Sequence, residues 1–252
     1  DCEAIVVTLD TTSLGWRPRD LDLGYLPFLR AQGIAQYSSD PVFKEIINEK
    51  LEDETMGSDE KPPINLTTLR NLFLSCKNYP GSFFSNLFSG RATAAVKTFI
   101  NIYMRPELRW SDLKELRTMT DLPILVKGIN TAEDAGAAMD AGVDGIVVSN
   151  HGGRQVDGAI GALTGLDEIT DQYGGDTTIL FDSGIRSGAD VVKALALGAD
   201  AVLLGRPYIY GLSIAGQEGV ETVFRYFLSE IELQMSLMGV DSIADLDRSL
   251  LK

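Results

Sequence analysis

The sequence contains one histidine, His151, set within SNHGGRQVDG. An imidazole is the side chain best matched to moving protons near neutral pH, although a lone histidine is more often a satisfied structural residue. Its neighbours favour a general base: Gly152 and Gly153 open the backbone beside it, and Arg154 follows three residues on, where a guanidinium suits an anion clamp. Lys127 lies in the apolar run ILVKGI, an expensive place for a cation unless it points at an anion. Asp10 ends another such run, AIVVTLD, with Thr8 on the same strand face. It can orient an imidazole or serve as a turn residue. Arg17, in LGWRPRD, is a further cation beyond that run.

Chemistry of this kind needs a frame. From about residue 119 the chain alternates short β-branched apolar runs with Ala-rich helical stretches, the signature of βαβ units on a parallel sheet. Strands are expected at 4–10, 124–129, 145–150, 178–184 and 201–207, and helices at 131–142, 163–173, 187–199 and 215–238. A further helix is expected near Ser111, with Ser111 as N-cap and Trp110 as an apolar anchor. The fold class is α/β, a (β/α)8 barrel represented by roughly its last five strands. The other possibility is an open sheet of a less common kind. Catalytic groups of such barrels sit at the C-terminal ends of strands, where His151, Lys127 and Asp10 fall. The loops after the last two strands commonly bind phosphate, and FDSGIR and LLGRP supply Gly184, Arg186, Gly205 and Arg206 at matching places.

Residues 18–110 interrupt this pattern as a long insert within one domain spanning 1–252. They predict a short helix around Pro41–Leu51, a mobile stretch at Glu52–Pro63, and two apolar pieces, LTTLRNLFLSC and FFSNLFSG. The apolar stripe of the last helix, from Val220 to Met238, is expected to pack on the barrel wall.

With 22 basic against 36 acidic residues, a net charge of −14 and a mean hydropathy of +0.04, the chain is globular and repels phosphate backbones. Neither a nucleic-acid nor a membrane partner is expected. Cys2 and Cys76 form no disulfide framework and no metal-ligand spacing. The start, DCEAIVVTLDTT, has no signal-peptide character, so a cytoplasmic location is expected. It also lacks an initiator Met, as if cut from a longer parent with an upstream signal left open.

Together VKG, SNHGGRQ, DSGIRSGADVVKALALGADAV and GRP resemble the FMN-dependent L-2-hydroxy acid oxidases and dehydrogenases, over residues 4–20 and about 107–240. The resemblance implies FMN as cofactor, a 2-hydroxy acid such as L-lactate as substrate, O2 as an electron acceptor, and a tetramer or larger homo-oligomer. It makes His151 the base and Asp10 the carboxylate that stabilises the imidazolium. Arg154 and Arg17 become the grip on the substrate carboxylate. It places Lys127 near the flavin edge where negative charge gathers, and assigns flavin, ribityl and phosphate contacts to Thr8, Ser149, Asp182, Gly184, Arg186, Gly205 and Arg206.

Three departures stand out. The family's N-terminal strands are absent, GAIGALTGLDEI replaces a Pro-containing stretch, and the insert resembles that of lactate 2-monooxygenase more than that of glycolate oxidase. The leading expectation is therefore oxidative decarboxylation, with the insert acting partly as a lid. The alternatives are a simple oxidase releasing hydrogen peroxide and a non-catalytic barrel fragment, with the insert forming subunit contacts only.

Overall fold

The apolar runs become five parallel strands, hydrogen-bonded in the order β1-β2-β3-β4-β5. The computed structural model describes residues 2–52 and 64–251. Along them β1 (Ile5–Thr8) leads into six helices: α1 (Pro18–Asp22), α2 (Ala35–Ser39), α3 (Pro41–Glu52), α4 (Leu66–Asn78), α5 (Phe83–Ser89) and α6 (Arg91–Tyr103). Helices and strands then alternate as α7 (Trp110–Met119), β2 (Ile124–Ile129), α8 (Ala132–Asp140), β3 (Gly145–Val148), α9 (Ala162–Tyr173), β4 (Thr178–Phe181), α10 (Gly188–Ala196), β5 (Ala201–Val202) and α11 (Arg206–Met238). Sequential parallel strands joined by helices are the repeating unit of the (β/α)8 barrel, and the sheet is a five-strand arc of that fold.

Local chemistry sets most of the boundaries. The Thr131 and Ser187 hydroxyls accept the N–H groups of Asp134 and Asp190, and so cap α8 and α10. The start of α7 differs from expectation: Arg109 is its N-cap, and its N–H donates to the Asp112 carboxylate at 2.9 Å, which leaves Ser111 inside the first turn. Gly161 precedes α9 with no side-chain cap. The last helix begins earlier than expected, at Arg206, and breaks at Ala215–Gly216, where Gly216 has φ +57°. Among the described residues, no helix is long and apolar enough to cross a membrane.

The core lies between the sheet and its helices. Val126, Ile146, Val148, Ile179 and Phe181 meet Ala135, Ala138, Leu166, Ile169 and Ala194, and the small alanines let α8 and α10 approach closely. Strand β3 is buried along its whole length, whereas Val6 of β1 is half exposed because β1 has a neighbour on one side only. The apolar stripe of α11 divides: Phe227 and Met235 are buried, but Phe224 and Leu228 face solvent, which corrects the expectation that the whole stripe packs inward.

Residues Arg17–Arg105 form a second compact unit. Its own core joins Ile34, Phe43, Ile47, Cys76 and Phe99, with Tyr37 ring-packed on Phe43 at 5.6 Å and on Phe99 at 5.0 Å. Buried Asn86 donates to the carbonyls of Cys76 and Tyr79 at 3.0 and 3.1 Å, tying α4 to α5. Glu52, expected to open a mobile stretch, is the last residue of α3. The rest of that stretch, 53–63, lies outside the described residues.

Candidate active site

Asp10 follows β1 and His151 follows β3, and the barrel geometry brings both to the C-terminal edge of the sheet. His151 Nδ1 lies 3.0 Å from Asp10 Oδ1, with the two side chains 31% and 13% exposed. A carboxylate accepts, so Nδ1 is the donor in this contact, which orients the ring and leaves Nε2 as its other nitrogen. The other Asp10 oxygen, Oδ2, is buried with no hydrogen-bond partner among the described residues.

The backbone around this pair is unusual. His151, Gly152 and Gly153 are all left-handed, with φ of +55°, +66° and +69°, a run that two glycines make affordable. Gly128, at φ +106°, forms an irregularity in β2, and a Cβ there would stand 2.8 Å from Asp10 Cβ and Cγ. Space for the Asp10 carboxylate therefore depends on a missing side chain. The Gln155 amide donates to the carbonyls of Asp10 and Ser13 at 2.7 and 2.9 Å, stapling the loop after β3 to the loop after β1.

Lys127 meets its anion within the protein. Nζ lies 2.9 Å from Asp182 Oδ2 and donates to Ser149 Oγ at 3.1 Å, leaving one of its three N–H donors for another acceptor. Ser149, almost fully buried, also accepts the His151 N–H at 3.0 Å. Ser183 closes the circuit: its hydroxyl accepts the Gly152 N–H at 2.9 Å, donates to Asp182 Oδ1 at 3.0 Å and lies 3.3 Å from Ser149 Oγ. The ring Lys127–Ser149–Ser183–Asp182 thus suspends the His151 loop from a partly buried ion pair. Thr8 pairs in register with Lys127 across β1 and β2.

A cavity of about 690 Å³ opens beside this ring, lined by His151, Lys127, Arg154, Arg186, Arg206 and Asp182 among others. Four cations against one carboxylate make it a site for an anion. Gly184, at φ +91°, and Gly205 also line it. Gly205 is the N-cap of α11 and offers no side-chain cap, so that helix start presents N–H groups suited to phosphate. Arg206 donates to the Gly152 carbonyl at 2.8 Å and so links this helix start to the His151 loop. Arg186 N–H is held by Asp190 at 2.9 Å. Cations, glycine turns and an open helix start are the donor set that a flavin mononucleotide phosphate requires. Arg17 falls in the second unit, 4.0 Å from Asp20.

The FMN-dependent dehydrogenase family profile matches residues 1–252. The chain belongs to that family. An FMN-dependent alpha-hydroxy acid dehydrogenase of Schizosaccharomyces pombe is 42% identical over 99% of this chain and 54% of its own length. An L-lactate oxidase of Lysinibacillus sphaericus is 40% identical over 97% of this chain and 53% of its own. Among solved structures, a flavocytochrome b2 variant with pyruvate bound superposes with a TM-score of 0.66 at 31% identity, covering 98% of this chain and 47% of that one. The chain spans about half the length of the curated relatives it matches. Its sheet is accordingly part of an FMN-dependent dehydrogenase barrel rather than an unrelated open sheet.

Sequence reasoning singled out His151, Asp10, Lys127 and the phosphate loops, and missed Gln155, Gly128 and Ser183 as organisers. Gln155 was visible within HGGRQ. Ser183 was not, because its left-handed φ of +86° is a property of the folded loop.

Proposed function

We propose that this chain supplies the base, the anion clamp and the phosphate site for FMN-dependent oxidation of an L-2-hydroxy acid such as L-lactate. The observation that carries the proposal is the His151–Asp10 pair at 3.0 Å beside a four-cation cavity. When bound, FMN supplies the acceptor for the two electrons that leave the substrate carbon. Gly184, Arg186, Gly205 and Arg206 would hold its phosphate. Lys127, with one N–H to spare, would meet the flavin's electron-rich edge, with Thr8 as a further flavin-edge contact and Ser149 and Asp182 positioning that ammonium. We read both units as one domain, 1–252, with the second unit inserted.

The residues then divide the work. Arg154 grips the substrate carboxylate through the planar fork that suits it. His151 Nε2 takes the proton released as the alcohol becomes a carbonyl. Asp10 holds the ring in the productive tautomer and balances the charge it acquires.

The finer proposal is that the enzyme uses O2 and decarboxylates, turning lactate and O2 into acetate, carbon dioxide and water. This rests on the likeness of the GWRPRDLDLGYLPF segment and the long insert to lactate 2-monooxygenase. The 40% identity to a protein named L-lactate oxidase favours a second outcome, pyruvate with hydrogen peroxide. Product analysis during aerobic turnover decides between them. We expect acetate and carbon dioxide in equal amounts with little free peroxide; stoichiometric peroxide and pyruvate would make the enzyme a simple oxidase.

A further inference from the structure

Three described residues other than glycine hold a positive φ, and two of them meet in the candidate site: His151 at +55° and Ser183 at +86°. The left-handed region crowds the Cβ of an L-residue, whereas glycine adopts it without strain. Ser183 stands directly before Gly184, itself at +91°, in the turn between β4 and α10. A second glycine would make that turn more easily. The serine is therefore to be explained by what its hydroxyl does there.

That hydroxyl has one proton and two lone pairs, and all three are engaged. It donates to Asp182 Oδ1 at 3.0 Å and accepts the N–H groups of Gly152 at 2.9 Å and Asn150 at 3.3 Å. Those two groups flank His151, whose own N–H goes to Ser149 Oγ, 3.3 Å from Ser183 Oγ. Three consecutive backbone donors of the His151 loop thus end on two serine hydroxyls. Asp182 holds Lys127 Nζ at 2.9 Å through its other oxygen, so the Ser183 hydroxyl joins the loop of the imidazole to the carboxylate that holds the ammonium. Glycine at 183 would leave the Gly152 and Asn150 N–H groups without this acceptor, and Gly152 and Gly153 give the loop little stiffness of its own.

We propose that Ser183 is a positioning residue: its hydroxyl fixes where the His151 imidazole stands relative to Lys127. The consequence for catalysis rests on the reading of His151 as the base and of Lys127 as the group at the flavin edge. A base and an electron acceptor that serve one substrate carbon tolerate little misplacement, since a shift of about 1 Å can slow a reaction on the order of 100-fold.

The test compares Ser183→Gly and Ser183→Ala with wild type, all loaded with FMN. Three quantities are measured: melting temperature, single-turnover flavin reduction by L-lactate, and the NMR signals of the His151 ring, assigned as those missing from His151→Ala. Glycine relieves the backbone and alanine does not, but both delete the hydroxyl, so Ser183→Gly is expected to melt above Ser183→Ala. Both are expected to keep FMN and to reduce it about 10- to 100-fold more slowly at saturating L-lactate. Half-saturation is expected to hold within about threefold, because Arg154 stays anchored through its neighbour Gln155. The ring signals, single in wild type, are expected to broaden or double in both variants. Ser183→Gly that reduces its flavin within about threefold of wild type, or whose ring signals match wild type, would overturn the proposal. Loss of FMN from Ser183→Gly would also overturn it, by assigning the hydroxyl to the cofactor site. Failure of the base assignment looks different: the wild-type flavin stays oxidised with L-lactate, while the ring signals still double in the variants, which keeps Ser183 as the residue that places the ring.

Discussion

His151→Ala is expected to slow anaerobic flavin reduction by about 10²- to 10⁴-fold while FMN remains bound. The two halves of that expectation come from different contacts. The imidazole is held by Asp10 and lines the cavity, so its loss removes the proposed proton acceptor. The proposed phosphate donors Gly184, Arg186, Gly205 and Arg206 follow β4 and β5, and truncating His151 at Cβ leaves them in place. The left-handed backbone at residue 151 is retained by alanine, and its N–H can still donate to Ser149. Stopped-flow absorbance gives the rate and ultrafiltration gives the bound flavin. Reduction within tenfold of wild type would remove His151 from the chemistry.

Arg154→Lys is expected to lower kcat/KM for L-lactate by roughly 10- to 100-fold, although the charge is kept. Lysine presents a point charge in place of a planar fork, and losing one of two charge-assisted hydrogen bonds costs about 1.5–3 kcal/mol. The loss is expected mainly in KM, since the guanidinium is assigned to holding the carboxylate before and during reaction. Steady-state kinetics with L-lactate checks this. Unchanged KM and kcat would show that Arg154 faces elsewhere.

The parts of the molecule legible in the sequence are those written by local rules. Runs such as ILVKGI and TILF announce strands, whose buried residues alternate with less buried ones, and Thr131 and Ser187 announce helix starts with their own hydroxyls. His151, Lys127 and the paired Gly–Arg loops were readable because each places a costly or permissive residue at a strand end. What stayed hidden depends on long-range contact. Asp10 could have been an ordinary turn residue until the fold placed it 3.0 Å from a ring 141 positions away. The anion that Lys127 demanded turned out to be Asp182, a partner set by the β2–β3–β4 order. Gly128 is needed for Asp10 across the sheet, which no pattern within VKG discloses. In the second unit the sequence marks one short helix, around Pro41–Leu51, and two apolar pieces, but not the other helices, because these bury residues mainly against each other. Its core around Phe43, Cys76 and Phe99 gathers segments more than 50 residues apart.

The proposed role of this chain's base and cation cavity is the oxidation of an L-2-hydroxy acid by bound FMN. The most direct measurement is the visible flavin absorbance of the FMN-loaded enzyme, mixed without oxygen with L-lactate or with D-lactate. L-lactate is expected to bleach the flavin band within the time of a turnover and D-lactate to leave it unchanged, because one fixed base and one carboxylate clamp accept a single hand. A flavin that stays oxidised with L-lactate and with other L-2-hydroxy acids, although FMN is bound in stoichiometric amount, would contradict it.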